Sequence, residues 1–161
     1  MKLRKVISGG QSGADIAGLE AAKKFGLETG GIMPFGFKTL DGCRPEYKEM
    51  YGLTAHNSSS YVPRTRANVR DSDGTIRLAF NLESRGEICT LKAIKDYGKP
   101  WIDVDFSSDS AKQTVEPVVE WLHRNEIETL NVAGNAEQTW AGTYEAALQY
   151  LERLFEHLEK Q

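Results

Sequence analysis

Cysteine and histidine are scarce in this chain, and what is missing narrows the chemistry before any motif is read. The two cysteines, Cys43 and Cys89, stand far apart and outside CxxC spacing, and the three histidines, His56, His123 and His157, include no i, i+4 pair. Neither a zinc site nor a disulfide framework is expected. Cys89 is expected to pack as a small apolar residue in a helix. No apolar run approaches the ~20 residues of a membrane-crossing helix, so no membrane partner is expected. There is no excess of positive charge either. The 20 Lys and Arg stand against 23 Asp and Glu, for a net charge of -3, and general nucleic-acid binding is not expected. MKLRKVISGG at the N-terminus contains no apolar stretch of secretory length, and the protein is expected to be cytoplasmic. The ordinary dinucleotide fingerprint and the Walker A loop are absent as well.

What remains is an alternation of short apolar runs with amphipathic stretches. At 161 residues the chain has the length of one compact domain, residues 1–161. LRKVI (3–7) reads as a first strand, and residues 14–26 carry Ile16, Leu19, Ala22 and Phe25 on one stripe of a helix that stops at Gly26. ETGGIMP (28–34) reads as a second strand closed by Pro34. From Phe35 to Pro63 the sequence is irregular and rich in Gly, Pro, Asn and Ser, the mark of a functional loop. Arg64 to Arg70 is expected as a short helix or turn, and TIRLAFN (75–81) as a strand. GEICTLKAIKDYG (86–98) sets Ile88, Leu91, Ala93 and Ile94 at helical spacing before Gly98. WIDVDF alternates as a strand does. Residues 110–126 read as a helix in which Pro117 sits in the first turn or makes a kink. LNVAG (130–134) is a fifth strand, and Gly142 to Lys160 is a helix with Ala147, Leu151, Leu154 and Leu158 on one side. This order predicts an α/β domain whose mostly parallel sheet is covered on both faces.

Sheets of that kind bind ligands beyond the carboxyl ends of their strands. SGGQSGAD (8–15) follows the first strand and opens the first helix. Glycines let a ligand approach the backbone, and unpaired N–H groups at a helix start favour an anion. Gln11 and Ser12 add side-chain hydrogen bonds, and Asp15 is placed to bind a sugar hydroxyl or to cap a neighbouring N–H. The competing reading is that Ser12 and Asp15 form a capping box and the glycines only turn the chain. RTRANVRDSDGT (64–75) concentrates Arg64, Arg66, Asn68 and Arg70 ahead of a strand. It is either an arginine fork for a phosphate or a solvated connection. The acidic Asp103 to Asp105 are explained more cheaply by a solvent-facing strand end than by a cation.

Taken in order, SGGQSGAD, GGIMPFG with DGCRPEY, RTRANVRDSDGTI, GKPWIDVDF and LNVAGN closely resemble the putative molybdenum carrier proteins. These belong to the SLOG superfamily, with the LOG-type phosphoribohydrolases and the DNA-processing protein DprA. The resemblance covers nearly the whole chain. It implies a Rossmann-like three-layer α/β sandwich with a mostly parallel sheet of about five or more strands. It also implies homo-oligomers, and a pocket at the strand ends for a nucleotide-derived or molybdopterin-type ligand. The implied ligand-binding residues are Gly9, Gly10, Gln11, Ser12, Gly13 and Asp15 in the first motif. In the second they are Arg64, Thr65, Asn68, Ser72, Asp73, Gly74 and Thr75; Gly86, Thr90 and Gly134 follow.

Two turns depart from the family pattern: Asn135, Ala136 and Glu137 stand where relatives tend to have a proline and an arginine, and in RGEICT, Arg85 replaces a glycine and Glu87 a threonine of a GGT-like turn. Glu87 repels an anion, and Ser84 with Glu87 has the spacing of a capping box. The hydrolases' catalytic glutamate has no counterpart, since Thr90 and Leu91 stand at the equivalent positions.

The expected function is therefore a carrier. It holds a phosphate-bearing small molecule: a nucleotide derivative, the molybdopterin cofactor, or molybdate itself. The Gly9–Gly13 amides hold the phosphate, Arg64 offsets its charge, and Phe35, Tyr47 or Trp140 walls the ring. The alternative is a LOG-like nucleoside-monophosphate phosphoribohydrolase, for which Asp15, Asp73 and Glu87 are the available carboxylates.

Overall fold

The computed structural model describes residues 2–109 and 114–161. In chain order the elements are β1 (Lys5–Ile7), α1 (Ala14–Lys24), β2 (Glu28–Met33), β3 (Lys38–Thr39), β4 (Gly42–Cys43), α2 (Tyr47–Tyr51), β5 (Leu53–Ala55), α3 (Tyr61–Arg70), β6 (Gly74–Ala79), α4 (Arg85–Tyr97), β7 (Trp101–Asp105), α5 (Glu116–Arg124), β8 (Thr129–Gly134) and α6 (Thr143–Glu159). Six strands form one sheet in the order β5, β2, β1, β8, β6, β7. Every pairing in it is parallel, while β3 and β4 form a separate antiparallel hairpin. In the register, Val6 lies opposite Thr29 and Leu130, and Ile76 opposite Val132 and Ile102.

The burial follows from position in the sheet. Every residue of β6 is buried, as a strand covered on both faces requires. The edge strand β7 buries only Val104. On one face, Ala17 and Ala21 of α1, Trp121 and Leu122 of α5, and Leu151 and Leu154 of α6 close a single core over Val6, Ile76, Leu78, Leu130 and Val132. On the other face α3 and α4 meet through Val69, Ala93 and Ile94. Asn68 fastens α3 to β2 by bonding both the N–H and the C=O of Ile32 at 2.9 Å. The result is a Rossmann-like three-layer sandwich.

The expected elements recur with differences that have physical causes. The sheet gains a sixth strand, β5, inside the stretch that reads as irregular, because a three-residue edge strand carries no period. The same stretch holds α2 and the β3–β4 hairpin. Ile88, expected on the buried stripe of α4, is 58% exposed, and Glu87 and Thr90 are buried instead. Pro117 lies in the first turn of α5, where its missing N–H costs nothing. The start expected for that helix, 110–113, lies outside the described residues.

Candidate functional site

A cavity of about 400 Å³ opens at the carboxyl ends of the central strands, within the range of small-molecule sites. Gly9, Gln11 and Asp15 line it from the β1–α1 turn, and Tyr61, Arg64, Thr65 and Asn68 from α3. Arg85, Gly86, Glu87, Cys89 and Thr90 line it from the start of α4. Asn131 to Gly134 of β8 complete the floor, and Leu40 and Val62 stand at the exposed rim.

The β1–α1 turn is closed on itself. Asp15 Oδ2 accepts the Gln11 N–H at 3.2 Å, and Ser8 Oγ accepts the Gly10 N–H at 3.3 Å while donating to the Asp15 carbonyl. The Ala14 N–H goes to the Asn135 carbonyl and the Ile16 N–H to the Gln11 carbonyl, both at 3.1 Å. Ser12 does not form a capping box with Asp15. Helix α1 has Gly13 at its N-cap without a side-chain bond, and Ser12 Oγ instead accepts the Glu137 N–H and donates to Gln138 Oε1. Gly13 has φ of 81°, and a Cβ there would lie 2.2 Å from the Asn135 carbonyl oxygen. Gly9 makes room for the Arg64 guanidinium, which a Cβ would meet at 1.8 Å.

Five charged side chains cluster around this turn. Arg64 stands 3.6 Å from Asp15 Oδ2, with both side chains largely buried. Burial raises the Asp15 carboxyl to about 6, opposed by Arg64 and the Gln11 amide. Arg77 pairs with Asp103 through two bonds of 2.7 Å and donates a third to the Glu87 carbonyl at 3.1 Å. Glu87 is 2% exposed, and burial raises its carboxyl to about 7 against the pull of Arg77, with Asp15 and Asp103 adding to the rise. The capping box expected of Ser84 and Glu87 is absent as well. Ser84 caps α4 without a side-chain bond, and its Oγ accepts from Asn135 Nδ2 at 3.3 Å. Arg77 holds the Glu87 backbone carbonyl, and the Glu87 side chain is buried rather than turned back to the helix start.

Among the described residues, the buried side-chain atoms without a hydrogen-bond partner are Gln11 Oε1, Tyr61 Oη, Arg64 Nε and Glu87 Oε1. All four belong to residues that line this cavity. Orphaned buried polar atoms are costly. Their concentration at one place marks it as built to be filled.

A family model described as the circularly permutated YpsA SLOG family matches residues 6–155. The chain belongs to the circularly permutated YpsA SLOG family. Among solved structures this SLOG chain is similar to the putative molybdenum carrier protein from Syntrophus aciditrophicus SB. The two are 33% identical with a TM-score of 0.87, over 95% of this chain and 94% of that one. No curated protein matches.

Within the SLOG domain the sequence-derived candidates separate into groups. Gly9, Gln11, Asp15, Arg64, Thr65, Asn68, Gly86, Thr90 and Gly134 line the cavity. Gly10, Ser12 and Gly13 belong to the turn behind it and face protein. Ser72, Asp73, Gly74 and Thr75 come after α3, whose ten residues carry the chain ~15 Å back toward the amino ends of the strands. Asp73 there accepts the N–H groups of Glu128 and Thr129. Thr75 meets the cavity only through Asn131, whose Nδ2 lies 3.2 Å from its Oγ1.

The aromatic residues expected to wall the ring do not line the cavity. Phe35 is 62% exposed, Tyr47 packs against Tyr51, and Trp140 stacks on Phe80. Tyr61 takes that place, directly before the arginine-rich motif, where its role depends on which face α3 turns inward. Sequence reasoning also missed the role of Asn135, which is 1% exposed. It accepts from the Phe80 and Asn81 N–H groups and donates to the Asn81 carbonyl and Ser84 Oγ, joining the β6–α4 and β8–α6 turns. Cys89, expected as helix packing, is half-buried at the cavity wall. No group of three metal-ligating side chains occurs among the described residues, and none of their helices is long and apolar enough to cross a membrane.

Proposed function

We propose that this SLOG domain binds a phosphate-bearing small molecule with a planar ring, of the nucleotide-derived or molybdopterin type. The ring lies inside the cavity and the phosphate at its mouth. The observation that carries this reading is that all four orphaned buried atoms among the described residues belong to residues lining one cavity. The charge beside the two turns favours α4 over the glycine loop as the phosphate end, because the arginine at the glycine loop, Arg64, already faces Asp15. The Arg85, Gly86 and Glu87 N–H groups at the start of α4 have no acceptor among the described residues. Arg85 is exposed beside them and makes no ion pair among the described residues. Free amides at the positive end of a helix dipole, with an arginine alongside, suit a phosphate or molybdate oxyanion.

Thermal shift against AMP, GMP, ADP-ribose, a pterin phosphate and molybdate tests this. A ligand at 100 times its Kd stabilises the fold by about 2.7 kcal/mol. A shift that shrinks in Arg85→Ala supports the reading. No shift from any of the five overturns it.

A second reading, hydrolysis of a nucleoside monophosphate, is favoured by one observation. Asp15 and Glu87 place two buried carboxyls at about 6 and about 7 on the same cavity, the range in which a proton is held or given near neutral pH. Asp73 has no part in it, being at the far end of the sheet. Release of ribose phosphate from AMP, lost in Asp15→Asn or Glu87→Gln while binding persists, separates hydrolase from carrier.

A further inference from the structure

We propose that Glu87 reads the edge of the ligand ring, its buried carboxylate accepting hydrogen bonds from adjacent N–H groups such as the 2-amino and ring N–H of a guanine or pterin. This rests on the reading of the cavity as a site for a ring-bearing phosphate. It goes further by naming the ring chemistry and the residue that selects it.

Three observations support it. Glu87 lines the cavity and its Oε1 is buried without a hydrogen-bond partner, so an acceptor in the cavity wall is left unsatisfied. The charges around it leave Glu87 as the odd member: Arg64 faces Asp15, Arg77 is engaged by Asp103 and bonds only the Glu87 backbone carbonyl, and among the described residues no ion pair reaches the Glu87 carboxyl. A ring edge with two N–H donors satisfies that carboxylate without adding charge. Third, the cavity is polarised, with Arg85 and Gly86 exposed at the mouth and Glu87 buried within. A ligand with its phosphate at the mouth therefore presents its ring to Glu87.

The ring edges of three purine nucleotides make the prediction discriminating. Guanine offers two adjacent N–H donors, hypoxanthine one, and adenine an unprotonated ring nitrogen beside an amino group. An unprotonated nitrogen facing a carboxylate is repelled, and sites built for a donor reject analogues that lack it by large factors. The expected order of affinity is GMP over IMP over AMP, with at least ~100-fold between the ends. Glu87→Gln, which adds an N–H donor in place of a carboxylate oxygen, collapses the order to within a few-fold. Glu87→Ala does the same and guards against misfolding of the first variant. A pterin phosphate, presenting the same edge on a different ring, distinguishes the two sources of that chemistry: tighter than GMP assigns the pocket to pterins, weaker to guanine.

The pH dependence supplies a readout that a structural role does not move. The groups facing Glu87 are Arg77 on β6, Asp103 on β7, Asp15 on α1 and Arg64 on α3. Of these, Asp15 titrates in the same range. Measuring the GMP to AMP affinity ratio cancels the titration of the phosphate and isolates the ring edge. The ratio falls as pH drops below 7 in the wild type and is flat in Glu87→Gln, while Asp15→Asn retains the fall. Equal affinity for GMP and AMP, or an order unchanged in both Glu87 variants, overturns this assignment and leaves the binding reading standing. A ratio that rises on acidification also overturns it, because a carboxylate that reads two ring-edge donors can only lose that preference as it takes up a proton. Binding by none of the probes overturns the underlying reading and this one with it.

Discussion

The two strand-to-helix turns that frame the cavity look alike in topology and differ in the charge beside their amides. The β1–α1 turn holds the glycines and bonds its Gly10, Gln11, Ala14 and Ile16 N–H groups to Ser8, Asp15, Asn135 and Gln11, while the arginine beside it, Arg64, faces Asp15. The start of α4 has a single glycine, and its first three N–H groups have no acceptor among the described residues. Glycine content therefore reports how closely two segments approach, which here is one loop against another. Whether such a turn suits an anion depends also on the charge left free beside its donors.

The largest expected effect breaks the closed turn. Gly13→Ala forces a side chain onto a positive φ and into the Asn135 carbonyl, and is expected to cost more than about 3 kcal/mol in denaturant unfolding. Next comes the carboxyl of the open turn. The folded Glu87 titrates at about 7 against 4.5 unfolded, so the folded state binds more protons between those values. The contribution of Glu87 to stability is then fully present below about 4.5 and is lost as pH rises through about 7. Glu87→Gln removes that slope and is expected to stabilise the unliganded protein at pH 8 by on the order of 3 kcal/mol. Asn135→Ala removes the link between the β6–α4 and β8–α6 turns and should cost roughly 2 kcal/mol. Arg85→Ala leaves the fold unchanged and weakens phosphate-bearing ligands about tenfold, or ~1.4 kcal/mol, by titration calorimetry. The smallest effect makes the contrast sharpest: Gly86→Ala meets nothing within 4 Å and should stabilise the helix by roughly 0.5 kcal/mol.

Strand and helix order is legible because a buried strand such as TIRLA and a helix stripe such as Ala147, Leu151 and Leu154 carry their period locally. The three residues of β5 have no room to show one. The same limit explains the site. RTRANVRDSDGT is contiguous in sequence, but α3 places Arg64 at the cavity and Asp73 at the other end of the sheet. Its ligand-facing and framework residues separate only when the helix is given a direction. Glu87 was visible as a departure from a family pattern. Its burial follows from the packing of α4 on the sheet, where Arg77, ten residues earlier, bonds its backbone carbonyl, and no local spacing encodes that.

Asn135 also gives the cavity a stiff jaw and a compliant one. On the α4 side, opening the mouth means stretching the bonds that this single side chain makes to Phe80, Asn81 and Ser84. On the opposite side, the β3–β4 hairpin bearing Leu40 is tethered by Gln11 Nε2 to the Lys38 carbonyl and by Gln138 Nε2 to Asp41, the second of these at the surface. Entry of a ligand too wide for the resting mouth therefore loads the hairpin first. The side holding Arg85 and Glu87 stays in register, so the mouth gapes away from the residues proposed to read the ligand.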